Sequence, residues 1–249
     1  MKQRLARVSD AFPTWRQSLI PLLILLVAVG LRFFRIASQS LWSDEGNSLS
    51  LALRSLPVLT RAVLAHDIHP PLYYYTLHFW VRVLGTSELA LRGLSAFLGV
   101  ALVGQVYLLG RALFGRSVGL AGMALAAISP LGIYYSQEAR MYALAGFFSL
   151  GASLFLILWL KGLSQGRRGW LWLMGLGLAT LLSLYSHYLS ASVMLAGWVI
   201  LAFWCCGEER IRSREGLVAW GIIQGAVVVL YLPWLWLARG RLRTWPAVS

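Results

Sequence analysis

Two carboxylates sit side by side in LWSDEGNSL, Asp44 and Glu45, in a chain of 249 residues that has 9 acidic residues and is 59% hydrophobic. Adjacent like charges repel, so such a pair needs either water or a task. A carboxylate held partly dry near a membrane surface can have its pKa moved and can take a proton from an acceptor hydroxyl. The bland alternatives are a hydrated loop pair or a helix N-terminal cap shared with Ser43. A second group of polar residues lies in AHDIHPPLYYY, where His66, Asp67 and His69 precede Pro70-Pro71. Imidazole and carboxylate both ligate metals, so Asp67 and His69, joined by Asp44, could hold a divalent cation, although ligands this close on one loop rarely all converge. The competing reading is a turn that launches the next helix, with the prolines fixing where His69 points.

The third group is YYSQEARMYAL, where Ser136, Gln137, Glu138 and Arg140 fall between two apolar stretches. Ionisable residues at membrane depth are costly and are usually functional or paired. Arg140 offers a planar fork suited to a phosphate, and Glu138 two positions away could orient it or simply pair with it in a wet turn. Tyr134, Tyr135 and Tyr142 present aromatic faces and hydroxyls to a sugar or a prenyl chain. LYSHYLS, with Tyr185, His187 and Tyr188, is a weaker signal, and a lone histidine there reads first as a helix-end hydrogen bonder.

The elements that must carry these groups are membrane spans. With 12 Trp, 10 Tyr, 10 Phe and a mean hydropathy of +0.69, the chain reads as an integral membrane protein and not a soluble domain. The net charge of +13 comes from short basic clusters between apolar runs and not from a basic domain, so nucleic acid is not an expected partner. Cys205 and Cys206 are adjacent and exclude a disulfide framework or a thiolate metal site. Apolar windows able to cross about 30 Å of hydrocarbon fall at 18–36, 89–110, 117–135, 141–160, 170–187, 189–206 and 217–237, a single transmembrane domain over 1–249. No cleavage site follows the first window, which reads as a retained span and not a signal peptide. Residues 37–88 then form a long outer loop with an amphipathic helix around Leu49 to Leu64, interrupted near Pro57.

Segment 69–85 decides the topology. It is short, opens with two prolines and carries His78 and Arg82. If it lies at the outer interface and the N-terminus is cytoplasmic, then Arg111/Arg116, Lys161/Arg167/Arg168 and Arg210/Arg212/Arg214 all fall inside, with Lys2, Arg4, Arg7 and Arg16. If it crosses, the first two of those clusters move to the wrong side. The interfacial placement is therefore expected, with Asp44/Glu45 and SQEAR sharing the outer face.

LWSDEG, DIHPPLYYYTLHFWVRVLG, ELALRGLSAFLG, YLLGRALFG and SPLGIYYSQEARMYAL resemble, in order and spacing, the bacterial glycosyltransferase family 39 proteins. These are relatives of dolichyl-phosphate-mannose–protein mannosyltransferases and of aminoarabinose lipid A transferases. The resemblance implies an all-α GT-C-type transmembrane bundle in the cell membrane, part of the cell-envelope machinery, with an extracytoplasmic active site. It implies transfer of a sugar, with inversion, from a polyprenyl-phosphate-linked donor to a glycan, lipid or protein acceptor. On it Asp44 is the catalytic base, with Glu45 supporting it or contacting the acceptor, His69 stands in the His-Pro-Pro motif, Arg140 is the arginine near the donor phosphate, and Arg92 opens the second span. Gln137, Glu138, Tyr135 and Tyr142 complete the donor site. Tyr73 and Tyr74 follow Leu72 where the mannosyltransferases have glycine and lysine, so their particular acceptor is not implied. The family continues beyond the point where this chain ends, which suggests a C-terminally shortened form. The rival expectation is a lipid-carrier protein, flippase-like or binding only, that keeps the prenyl-phosphate groove without turnover.

Overall fold

A computed structural model describes residues 15–207 and 214–244, and these are helical with no strand among them. The helices are α1 (Trp15–Phe33), α2 (Ser43–Ala52), α3 (Leu56–His66), α4 (Leu72–Leu84), α5 (Glu88–Phe114), α6 (Arg116–Ile128), α7 (Pro130–Ser136), α8 (Tyr142–Ser164), α9 (Trp170–Ser186), α10 (Ala191–Gly207) and α11 (Arg214–Thr244). The protein is an all-α polytopic membrane protein. Lys2, Arg4, Arg7, Arg210 and Arg212 of the basic clusters lie outside the described residues.

Each of the apolar windows is helical, the third of them as the pair α6 and α7, bent by 59°. Pro130 opens α7 without an N–H and pushes Ser129 to extended backbone (ψ 117°), while the Ser129 hydroxyl accepts from the Gly132 N–H at 3.2 Å. By length and hydropathy alone, 4 described helices are long enough to cross a membrane, or 5 if the bent pair is one span; Leu19–Phe33 and Trp170–Ser186 are shorter apolar helices.

At the centre, α5 packs on α1, α6 and α8, and α8 packs on α9. The crossing of α5 and α6 requires glycine, because a Cβ on Gly110 would lie 2.9 Å from the Gly119 Cα. Ser87 caps α5 by accepting from the Ala90 N–H, and Gly115, at φ 93°, ends it.

The 37–88 segment is folded. Leu51, Leu59, Val63, Tyr73 and Leu77 of α2 to α4 share one apolar core with Leu91 of α5, Met141 and Leu184. Pro57 falls in the first turn of α3, where the missing N–H costs nothing, so the break lies between two helices. Helix α4 has 13 residues, about 20 Å, less than the hydrocarbon thickness. It lies against α2, where the buried His78 places Nδ1 2.8 Å from the Ala52 carbonyl oxygen.

Candidate active site

The adjacent acids open α2, and helical geometry turns successive side chains about 100° apart. Glu45 therefore points inward and Asp44 outward. Glu45 is 1% exposed and Arg92 6%. Arg92 donates from Nε to Glu45 Oε1 at 2.9 Å and from Nη2 to Oε2 at 2.6 Å, a bidentate pair. Its other N–H groups reach the carbonyls of Ile36 and Gln39, each at 2.8 Å, and Ser40 at 3.2 Å. Glu45 also accepts from the Ala139 N–H at 2.9 Å and from the Trp42 N–H at 3.3 Å, the second contact being the N3 half of a capping box. Burial raises the Glu45 pKa, but the Arg92 hydrogen bonds, the Ala139 N–H and the Arg92 charge outweigh it and hold the carboxyl below its ordinary range. Arg92 and Glu45 thus tie together the stretch after α1, the start of α2 and the 137–141 loop. Every N–H of Arg92 has a protein acceptor.

The outward side differs. Asp44 is 45% exposed at its side chain, and its Oδ2 lies 3.5 Å from Nη2 of Arg140, which is 4% exposed. Nη1 of Arg140 reaches the Asp44 carbonyl at 3.5 Å and the Ser48 hydroxyl at 3.4 Å, and Nε has no partner. All of these contacts are long for a guanidinium. Burial works against the charge of Arg140, but Tyr74, Asp44, Tyr142 and Asp67 outweigh it and push its pKa up. A buried cation with an orphan N–H and no short contact is left with unmet hydrogen-bonding capacity.

Around this pair stand the remaining polar groups. Asp67 Oδ1 accepts from the His69 N–H at 2.8 Å and lies 2.9 Å from His69 Nδ1, and Oδ2 accepts from the Tyr74 hydroxyl at 2.8 Å. Burial raises the Asp67 pKa, but the His69 and Tyr74 hydrogen bonds bring it below the usual carboxylate value. The His69 ring is 6.0 Å from that of His187, His187 is 6.1 Å from Tyr142, Tyr142 is 4.8 Å from Tyr135, and Tyr135 is 5.2 Å from Tyr134. An aromatic ladder therefore runs from the His-Pro-Pro turn to the start of α8. Both Asp67 oxygens are engaged, and no three His, Cys, Asp or Glu side chains among the described residues are arranged to hold a metal. Asp44, Asp67 and His69 do not form such a set.

Gln137 and Glu138 turn away from Arg140. Gln137 Nε2 donates to the carbonyls of Arg32 at 3.1 Å and Phe34 at 3.0 Å, closing the end of α1. In return Arg32, 2% exposed, donates to the carbonyls of Ala126 and Ala127, each at 3.0 Å, at the end of α6. Glu138 lines a cleft of about 760 Å³ with Trp42, Tyr134, Gln137, Glu45 and Arg92, separate from the Asp44 side.

The structure thus gathers Asp44, Arg140, His69, Tyr135 and Tyr142 on one side, and Glu45, Arg92, Gln137 and Glu138 on the other. Sequence reasoning did not single out three contributors. Ser48 sits one helical turn after Asp44, a legible spacing, and Tyr74 donates to Asp67 across the short His-Pro-Pro turn, whereas Arg32 acts through carbonyls distant in sequence, which no local pattern shows.

The chain matches the family model for dolichyl-phosphate-mannose-protein mannosyltransferase over residues 68–236, more than half its length. His69, Arg92, Gln137, Glu138 and Arg140 lie within the matched stretch, and Asp44 and Glu45 precede it. No curated protein matches the chain. A helical membrane bundle with this match belongs to the dolichyl-phosphate-mannose-protein mannosyltransferase family, membrane glycosyltransferases of the GT-C type.

Proposed function

We propose that the chain transfers a sugar from a polyprenyl-phosphate donor to an acceptor hydroxyl at the extracytoplasmic face, with inversion at the anomeric carbon. The observation that carries this reading is the half-exposed Asp44 beside the buried, under-coordinated Arg140. The donor phosphate accepts from Arg140, and its prenyl tail stays in lipid. Asp44 takes the proton from the acceptor hydroxyl as that oxygen bonds to the anomeric carbon. The bond from that carbon to the phosphate oxygen breaks, and the electron pair leaves on polyprenyl phosphate, where the arginine offsets the added charge. His69, oriented by Asp67, and the Tyr135/Tyr142 faces border the space where the sugar would lie, and aromatic faces suit a sugar ring. Glu45 and Arg92 serve as the frame that aims Asp44. The chemistry as drawn needs no resident cofactor; a divalent cation, if one takes part, would enter with the donor phosphate.

The test uses cells lacking this gene, in which a polyprenyl-phosphate-linked sugar accumulates. Wild-type protein clears it, and Asp44→Asn lowers clearance 10²–10⁴-fold, the usual worth of a general base, while still binding the donor lipid. Clearance at the wild-type rate by Asp44→Asn sinks the enzyme and favours a lipid carrier that works without turnover.

A further inference from the structure

A second cavity lies at the other end of the bundle, away from Asp44 and Arg140. Helix α8 runs from Tyr142 beside the candidate site to Ser164, 23 residues, or about 35 Å. There its last turn, the 165–169 turn and the first turns of α9 and α11 enclose about 380 Å³. The walls are apolar, with Trp159, Leu173 and Trp170 among them, and the rim carries Arg167 and Arg168 together with one acid, Glu215. Trp159 is fixed by a stack on Trp220, with centroids 5.6 Å apart.

Local backbone chemistry sets the two arginines on the rim. Gly166 and Gly169 take positive φ, 75° and 58°, which reverses the chain directly after α8. The N–H groups of Gly166 and Arg167 donate to Leu163 and Gly162 at 2.9 and 2.8 Å and close the helix end. Arg168 makes one long contact, 3.7 Å to Glu215, with both side chains exposed, so the pair is weak. The same end of the bundle carries Arg111, Arg116, Lys161 and Arg214, against which Glu215 is the acid found there among the described residues. The N-termini of α9 and α11, the positive ends of their dipoles, meet at the cavity.

We propose that this cavity binds the phosphate headgroup of an anionic membrane lipid in the leaflet opposite the candidate active site. A basic rim over a tryptophan-lined floor matches a phosphate that carries hydrocarbon better than a free anion, which would gain nothing from the floor. Beyond the rim, Leu171 and Met174 of α9 are 83% and 62% exposed and continue the apolar path along which acyl chains would lie. A headgroup there clamps the ends of α8, α9 and α11 together.

Native mass spectrometry of the purified full chain, released from micelles containing equal phosphatidylglycerol and phosphatidylcholine of matched chains, tests this. Wild-type protein should retain phosphatidylglycerol preferentially. Retention should fall about fivefold for Arg167→Ala or Arg168→Ala and about thirtyfold for both, taking about 1 kcal/mol per basic residue near the surface. Arg61→Ala, on α3 at the other end, should leave the preference unchanged. Equal retention of the two lipids by wild type, or an unchanged preference in both single variants, overturns the proposal. Displacement of the lipid by an equimolar amount of inorganic phosphate also overturns it, in favour of a free-phosphate site. The single variants carry the test should the double variant fail to fold, and the result does not depend on whether sugar transfer occurs.

Discussion

Arg92 and Arg140 are both buried arginines beside an acid of the same Asp-Glu pair, yet one is saturated and the other is not. Arg92 has an acceptor for every N–H, several at 2.6–2.9 Å. Arg140 has contacts of 3.4–3.5 Å and an unpartnered Nε. The difference separates a brace from a receptor. A guanidinium whose hydrogen bonds are complete stabilises what surrounds it and has nothing to offer a ligand; one left incomplete in a dry setting gains most when an anion arrives.

The contrast predicts different failures for the two arginines. Arg92→Met should cause the largest change, because it strands Glu45 as a buried charge, a loss of about 3–5 kcal/mol. Thermal unfolding in detergent should show it as a large drop in Tm, with activity falling only in step with the folded fraction. Arg140→Lys keeps the charge but removes the fork. It should leave Tm near wild type and weaken donor binding about 10–100-fold, the range for lost hydrogen bonds to a charged group, read as a rise in the donor concentration needed for half-maximal turnover. If both variants lost only stability, the distinction between brace and receptor would collapse.

The smallest effect sharpens the comparison through pH. Glu45 and Asp67 have pKa values held below their ordinary range in the folded protein. Their contribution to stability is therefore complete above about pH 4, the unfolded carboxylate range, and is lost as pH falls through the lower folded values. Tm measured downward from pH 6 should hold and then fall below about pH 4. Among variants that still fold, Glu45→Gln should show a shallower fall than wild type, since one of the two depressed groups is gone.

Much of this was legible in the sequence. Hydropathy located the helices, because a lipid-facing segment must be apolar along its whole length. The side shared by Asp44 and Arg140 followed from where the basic clusters fall. The division of labour inside each pair did not follow. That Glu45 meets Arg92 and not Arg140 depends on which way the first turn of α2 faces, and that is set by packing of Leu51 and Ala52 against a core drawn from distant helices. Gln137 likewise sits next to Glu138 and three residues from Arg140 in a polar run that suggested a single donor site. Its partners are carbonyls roughly a hundred positions earlier, a pairing that leaves no local mark. The bend at Pro130 was hidden inside an unbroken hydropathy window, since proline disturbs geometry without changing polarity much.

The reciprocal closure of α1 and α6 also shapes the electric field. Each helix ends there with roughly half a unit of negative charge on its open carbonyls. Arg32 and Gln137 blanket those oxygens with donors. With those carbonyls occupied, the two helix ends present less bare negative potential to their surroundings.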